Sequence, residues 1–459
     1  MRLREGPSMR DPLLLGFIIG CLLIAIRYPF AGLMVWGWFT LMTPHQAAYG
    51  VYGLPLNAII AGVTIAAYIL SGEVKKFRLE PVSATIILFA LWLMLSQIFS
   101  LNSGHSAVYL DRFLKTLLFA LLVAQMARDR LRFNAMVWIF VASIGFFAAK
   151  GALFTIFTLG EFRVQGLPNT VLEDNNHFGI AAATTLPMIL YLRAVSKSAI
   201  VRNGLMALFA LTVIGIIGTH SRGALICLMV FGGAYWIRAK HKFSIAAVFV
   251  ALMAPSIAFM PVKWTERMTT ITHAAQDESF MGRVDAWVIN LKLARDHPLT
   301  GAGLRNSYDP EIAATVDPSR AQTAKAAHSI YFEVLGGAGV VGLLIYLAIF
   351  GAAYFALRKA VAPRRWGAPP QWRSEYAHHA QLALIVFAIG GASTSMEMWD
   401  GYLVLIALSG ALAAGQSRAH AQSLRAVNAL KLDAWRRRRR QAREKAEIPN
   451  EPRYSPGRA

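Results

Sequence analysis

Cysteine is nearly absent. The chain has two in 459 residues, Cys21 and Cys227, both inside apolar runs and without Cys-x-x-Cys spacing. Disulfide frameworks, zinc ribbons and dithiol redox chemistry find no support in that pattern. Charge is sparse as well, at 15% Asp, Glu, Lys and Arg, where soluble domains carry about 25%. No glycine-rich phosphate loop, dinucleotide fingerprint or internal repeat is present. "GAGLRN" (301–306) has two glycines but no strand-to-helix context, and it reads as a loop. Metal-ligand spacing is missing too, with no His-x-x-x-His pair and no carboxylate cluster. The reading is therefore of a protein with no cofactor and no metal.

What is present is apolar length. The chain is 56% hydrophobic with a mean hydropathy of +0.45, and runs on the scale of a membrane span recur from Pro12 to about Gln416. The start, "MRLREGPSMRDPLLLGFIIGCLLIAI", has basic residues before an apolar run but no small-residue cleavage site, and reads as the first membrane segment. Further candidate spans are 54–71, 81–100, 107–127, 134–158, 177–194, 204–218, 224–237, 243–260, 329–357, 379–395 and 401–416. The net charge of +21 sits in connections and the tail. That marks topology, with no nucleic-acid partner implied.

"EVKKFR" (73–78), "RDRLR" (128–132), "RAVSKSAIVR" (193–202), "RAKHK" (238–242) and the basic 358–373 stretch are each separated by two spans, so all five share one face, the cytoplasmic one. The other face receives 101–106, 159–176, 219–223, the long 261–328 segment and 396–400. Residues 1–53 must then cross an odd number of times if the basic start is cytoplasmic. "RYPF" (27–30) splits them into two short runs, which favours one crossing plus a half-helix and about twelve spans in all; thirteen spans with an outer N-terminus is the alternative. The expected fold is all-α and polytopic. Residues 1–133 form N-terminal membrane helices, 134–416 a membrane core with the outer loop 261–328 carrying amphipathic helices, and 417–459 a basic cytoplasmic tail. That tail, with "WRRRRR" (435–440), suits anionic phospholipid headgroups.

The chemistry-bearing residues lie on the outer face. "THSRG" (219–223) places Arg222 between two apolar spans, where an arginine costs about 2.5–3.5 kcal/mol by insertion scales unless it snorkels or pairs. Facing an aqueous cavity, its planar fork would bind phosphate oxygens; His220 beside it reads as support for the turn. Val284, Trp287, Val288, Leu291 and Leu293 outline an amphipathic helix ended by Pro298 and Gly301. Arg283 in its first turn opposes the helix dipole, so helix stability does not explain it; pairing with Asp277, Glu278 or Asp285 is the structural alternative. His328 opens a long apolar span, and an imidazole there suits a general base acting on a sugar or serine hydroxyl. Arg163, Asp174, Asn175, Asn176 and His177 supply a polar cluster at another span entrance, where "EDNN" also reads as a helix cap. Glu397, Trp399 and Asp400 sit on the last outer turn with no assigned role. Arginines and histidines gathered at one membrane boundary call for an anion carried by a lipid-soluble molecule.

These motifs in order, an Arg in "SRGA" opening a span, "GR…W" leading to "DHPLTGAG", and a His opening "HSIYFEVLGGAGVVGLL", resemble the O-antigen ligase/polymerase superfamily over about residues 204–350. The stretch 9–50 with "DNNHFGIA" (174–181) resembles a subgroup of O-glycosylation ligases associated with exosortase systems. The resemblance implies inverting, metal-independent glycosyl transfer at the periplasmic side of the bacterial inner membrane, from an undecaprenyl-diphosphate-linked glycan donor. Arg222 and Arg283 would hold the diphosphate and His328 would activate the acceptor hydroxyl, with Arg163, Asn176, His177 and His220 in support. The acceptor is a lipid, a protein or a growing glycan, the last making the protein a polymerase. A transporter or flippase for an anionic lipid-linked glycan is the alternative from another class; it would place charges near the bilayer midplane and show pseudo-symmetry.

Overall fold

A computed structural model describes residues 10–47, 54–238, 242–243, 247, 250, 278–321, 326–361 and 370–415. Most of the 243–260 span, most of the "RAKHK" connection, Asp277 and the basic tail lie outside the described residues. Met1–Ala413 forms one compact unit. Every regular element among the described residues is helical: α1 (Arg10–Arg27), α2 (Pro29–Met42), α3 (Leu56–Leu70), α4 (Pro81–Ile98), α5 (Ser103–Met126), α6 (Arg130–Phe157), α7 (Asn175–Val195), α8 (Ala199–Gly218), α9 (Arg222–Arg238), α10 (Glu278–Asp296), α11 (Pro310–Val316), α12 (Ile330–Val361), α13 (Gln371–Gly391) and α14 (Asp400–Gly415). Five of these, α4, α6, α7, α8 and α12, are long and apolar enough to cross a membrane, and α2, α3, α9 and α14 are shorter apolar helices. The chain is a multi-pass membrane protein.

Short polar residues start the helices. Asn102, Asp129 and Asp174 each accept a hydrogen bond from a backbone N–H of the first turn that follows, satisfying donors that have no partner within the helix. The α7 helix is the axis of the bundle: every residue from Phe178 to Leu192 is buried. A helix apolar all round needs protein on every side, and α6, α8, α9 and α13 supply it. Around this centre, Leu13, Phe17, Leu23, Leu88, Leu91 and Phe157 are among many large apolar side chains left exposed, as a lipid-facing surface requires.

The basic connections do gather at one end. Arg132 reaches Glu73 at 3.3 Å and lies 5.4 Å over the Phe30 ring. Gln125 exchanges two 3.0 Å hydrogen bonds with the backbone of Arg78. Phe133 packs against Trp372 and Tyr376, and Tyr191 donates to Asn134. The first fifty residues differ from expectation. Pro29 follows Tyr28 in a non-helical conformation, and α1 turns back along α2: the Phe17 and Trp38 rings are 5.6 Å apart, and a Cβ on Gly32 would sit 3.0 Å from that of Ala25. A continuous helix would separate Phe17 from Trp38 by about 31 Å at its usual rise. A hairpin begins and ends at the same end of the bundle, so one crossing plus a half-helix does not describe it, and Arg10 stands at the end opposite Glu73. This is the geometry of the outer N-terminus alternative.

The long outer segment is a packed cap, where described. Ile289, Leu293, Ala302, Ile312, Ala313 and Ala321 form a second small core. Its lead helix, α10, does not bury the expected stripe: Ala286, Ile289, Asn290, Leu293 and Ala294 are buried, while Leu291 is 48% exposed. The reason is the partner surface. The α10 helix lies on Gly336 of α12, and any Cβ there would overlap Asn290, so the small residues face in. Starting at Glu278, α10 also puts Arg283 in its second turn, where the dipole argument loses force.

The α12 helix is broken at Gly339 (φ 73°, ψ −176°), a conformation open essentially to glycine alone. The freed backbone groups are met by the loop before it. Ala302 and Gly303 N–H donate to Gly336 and Gly337 carbonyls at 2.9 and 3.0 Å, and Val340 N–H donates to Pro298 O at 2.8 Å. From α4, Trp92 Nε1 donates to Ala338 O and Ser96 Oγ to Thr300 O. Irregular backbone at membrane depth persists only where protein satisfies it in this way. Gly339→Ala is expected to cost upwards of about 2 kcal/mol and lower the melting temperature in detergent, because its methyl would overlap Leu299 O. Gly351→Ala, in the same helix with open space around it, should leave the melting temperature unchanged or raise it.

Candidate functional site

At the end of the bundle away from the basic connections, six segments converge on a buried polar cluster. The last turn before α14 supplies Ser395 and Glu397. Glu397 Oε1 accepts from Arg305 Nη2 at 2.7 Å and from its Nε at 3.2 Å. The Arg305 guanidinium also lies over the Tyr109 and Tyr308 rings, at 5.1 and 5.4 Å. Burial alone would make it easier to deprotonate, but the Glu397 carboxylate outweighs this and keeps it cationic. Glu333, in the first turn of α12, receives three donors on one oxygen: Tyr308 OH and Ser395 Oγ at 2.6 Å, and Ala327 N–H at 2.9 Å. Burial, with Glu333 beside it, pushes the Tyr308 phenol well above its ordinary value, so it remains a donor.

His328 sits inside this cluster in the left-handed backbone region (φ 47°), which side chains with a Cβ seldom adopt. Three contacts pin its peptide. Ser395 Oγ accepts the His328 N–H at 3.0 Å, Glu333 takes the preceding N–H of Ala327, and Trp287 Nε1 donates to Ala327 O at 2.6 Å. Its Nδ1 is buried without a hydrogen-bond partner among the described residues. Burial, then the positive charge of Arg283 and the nearby His177, hold its pKa down to about 4. The imidazole is neutral at pH 7.

The sequence candidates separate into those the structure joins and those it does not. Arg283 acts electrostatically on His328, and Trp287, four residues later on the same helix, is bonded to the peptide before it. Asp285, one of the carboxylates offered as a structural partner for Arg283, binds Arg320 at 2.8 Å. The His177 ring lies 6.2 Å from that of His328; its Nδ1–H donates to Val171 O at 2.7 Å, leaving Nε2 to accept from Ser395 N–H at 3.3 Å. Arg222 opens α9, and the next residue, Gly223, abuts Ser393, two residues from Ser395. His220 holds a left-handed turn (φ 53°). Asn176 serves the α7 cap, bonding Asp174 Oδ1 through its backbone N–H. Burial works against the Asp174 carboxylate, but His177 and the cap N–H groups outweigh it and hold its pKa low. Its neighbour Asn175, another member of the polar cluster, is the one that ties α7 to the "THSRG" turn, donating to Thr219 O at 2.7 Å. Arg163 is exposed, and no contact among the described residues links it to the cluster.

Arg305, Glu333, Tyr308 and Ser395 carry the cluster, and the sequence reading left them out. Glu333 did have a signal, as an acidic residue one turn into an apolar span. Arg305 was hidden in a stretch that reads as a plain loop, and Ser395 has no distinguishing neighbour. On α5, Asp111 and Lys115 form an exposed pair 2.5 Å apart.

Residues 207–347, which include Arg222, Arg283, Arg305, His328 and Glu333, match the O-Antigen ligase family, and residues 9–197 match a family of unknown function (DUF5935). No curated protein matches the chain. Residues 207–347 are thus similar to the O-antigen ligase family, and Arg222, Arg283 and His328 lie within that stretch.

Replacing Glu397 by Gln leaves the Arg305 charge buried without its counter-ion. Breaking one partner of such a pair costs about 3–5 kcal/mol. Thermal unfolding in detergent should show that loss, and Arg305→Met with Glu397→Met should recover most of it.

Proposed function

We propose that the protein transfers a glycan from an undecaprenyl-diphosphate donor to an acceptor hydroxyl, with inversion and without a metal ion, on the periplasmic side of the bacterial inner membrane. The observation that carries this reading is the neighbourhood of Arg283 and His328: a cation acting on a half-buried, neutral imidazole at the end of the bundle away from the basic connections. That orientation follows from the bias of Lys and Arg toward the cytoplasm. Arg283 and Arg222 would grip the diphosphate, and their charge would stabilise the leaving group as it develops. The acceptor oxygen attacks the anomeric carbon while His328 takes its proton. The bond from that carbon to the diphosphate breaks, and undecaprenyl diphosphate leaves with the electron pair. One displacement inverts the configuration. The N-terminal stretch and "DNNHFGIA" support placing the chain among O-glycosylation ligases of exosortase systems. The basic tail would rest on anionic phospholipid.

Two experiments test this. Purified protein reconstituted with an undecaprenyl-diphosphate glycan and separate lipid, protein and glycan acceptors, without divalent metal, should glycosylate one of them; Arg222→Ala, Arg283→Ala and His328→Ala should each lose at least about 100-fold. Normal transfer by Arg283→Ala or His328→Ala sinks the mechanism, elongation of the donor glycan alone identifies a polymerase, and movement of donor across the bilayer without transfer identifies a flippase. Second, the pH dependence is directional. His328 is base-competent above about 4, so kcat/KM should stay level through mild acid and fall only as pH drops through about 4. A bound diphosphate neutralises Arg283 and raises the imidazole pKa, so the acid limb of kcat should lie at higher pH than that of kcat/KM.

A further inference from the structure

Ser395 uses every polar atom it has. Its N–H donates to His177 Nε2 at 3.3 Å, its carbonyl accepts from Arg305 Nη2 at 3.3 Å, and its hydroxyl accepts from His328 N–H at 3.0 Å while donating to Glu333 Oε1 at 2.6 Å. The residue is 3% exposed. Four residues from three segments far apart in sequence thus meet on one small side chain and its peptide. The directions are forced by chemistry. A backbone N–H only donates, so the hydroxyl accepts from His328 and has its single proton left for the carboxylate. His177 gives its Nδ1–H to Val171, so its Nε2 is left as the acceptor. His328 meanwhile holds a backbone conformation unfavourable for a residue with a Cβ, and such strain persists only where surrounding contacts over-determine it. Of the three contacts that pin the His328 peptide, the Ser395 hydroxyl is the one on the histidine's own N–H.

We propose that Ser395 is the positioning residue for the reaction at His328: its hydroxyl fixes the strained His328 peptide and its backbone fixes the His177 ring, so that one residue aligns both imidazoles. The inference rests on the glycosyl-transfer reading and adds a residue that touches no reacting atom. Ser395 accounts for why His328 is held where Arg283, His177, Asp174 and Arg305 all act on it, from α10, from the start of α7 and from the loop before α11. Alanine at this position removes the acceptor for His328 N–H and one of the donors to Glu333. Threonine keeps the hydroxyl.

The test compares wild type, Ser395→Ala, Ser395→Thr and Ser395→Cys in lipid nanodiscs. Steady-state transfer should show Ser395→Ala with kcat down about 100-fold, the scale of a misplacement near 1 Å, and donor KM little changed. Ser395→Thr should recover most of it. A second readout needs no activity: histidine-ring NMR titration, with His328 assigned by His328→Asn. Wild type should titrate near 4 and Ser395→Ala closer to the ordinary 6.5, because the released ring moves away from Arg283 and toward solvent. If wild type transfers no glycan, the functional reading fails, and the titration still decides whether Ser395 sets His328. An unshifted titration in Ser395→Ala overturns the proposal, whatever the rate does. Equal loss of kcat in the Ala and Thr variants also overturns it, since Thr keeps the hydrogen bond. Should Ser395→Ala fail to fold, Ser395→Cys, with a weak sulfur acceptor of similar size, is read by the same criterion.

Discussion

The pairing of residues 298–303 with the opened backbone of α12 is the interaction on which the rest of this end of the molecule depends. A helix interrupted at Gly339 leaves carbonyls and N–H groups exposed in a setting where water cannot be counted on. The loop after α10 supplies their partners from its own backbone, and in doing so it cannot shift without unmaking several hydrogen bonds at once. Each buried unsatisfied group would cost about 1–3 kcal/mol. The loop in turn anchors α10, which carries Arg283, against Gly336 of α12. His328 lies just before α12. A cation and an imidazole from segments 45 positions apart in the sequence are thereby held on one rigid frame, and Trp287 closes the link by bonding the peptide before His328.

Around that frame the electrostatics are arranged in pairs. Arg305 and Glu397 are buried together, and Glu333 is filled on one oxygen by three neutral donors. A buried ion pair adds little net stability over apolar packing, yet it tolerates no partial removal. Here it fixes the loop before α11 to the turn before α14. The arrangement leaves His328 neutral. Holding that imidazole in strained backbone beside a fixed charge is work done during folding, so the geometry needs no reorganisation when a charged donor arrives.

The cap over this end has its own small core and its own ion pairs, Lys292 with Asp317 and Arg320 with Asp285 and Asp317. It is therefore a built element. On the opposite end the connections are short and basic. One molecule thus presents two chemically distinct ends, joined by helices whose outer faces suit lipid and whose centre, α7 and α14, is buried along most of its length.

Sequence alone determined the class of the fold and pointed to the end where the candidate site lies. Apolar runs and the side of each basic loop are properties of composition and order, and lipid reads them segment by segment. Arg222, Arg283, His177 and His328 were legible because a charge or an imidazole at a span boundary is costly and so conspicuous. Tertiary structure alone decided the rest. The α1–α2 hairpin depends on Gly32 admitting Ala25, and the buried stripe of α10 on the glycine surface it meets. Arg305, Glu333 and Ser395 gain their roles from partners 25 to 218 positions away. Sequence patterns carry short periods and local charge; a hydrogen bond between distant segments depends on where packing brings them, and no local pattern encodes that.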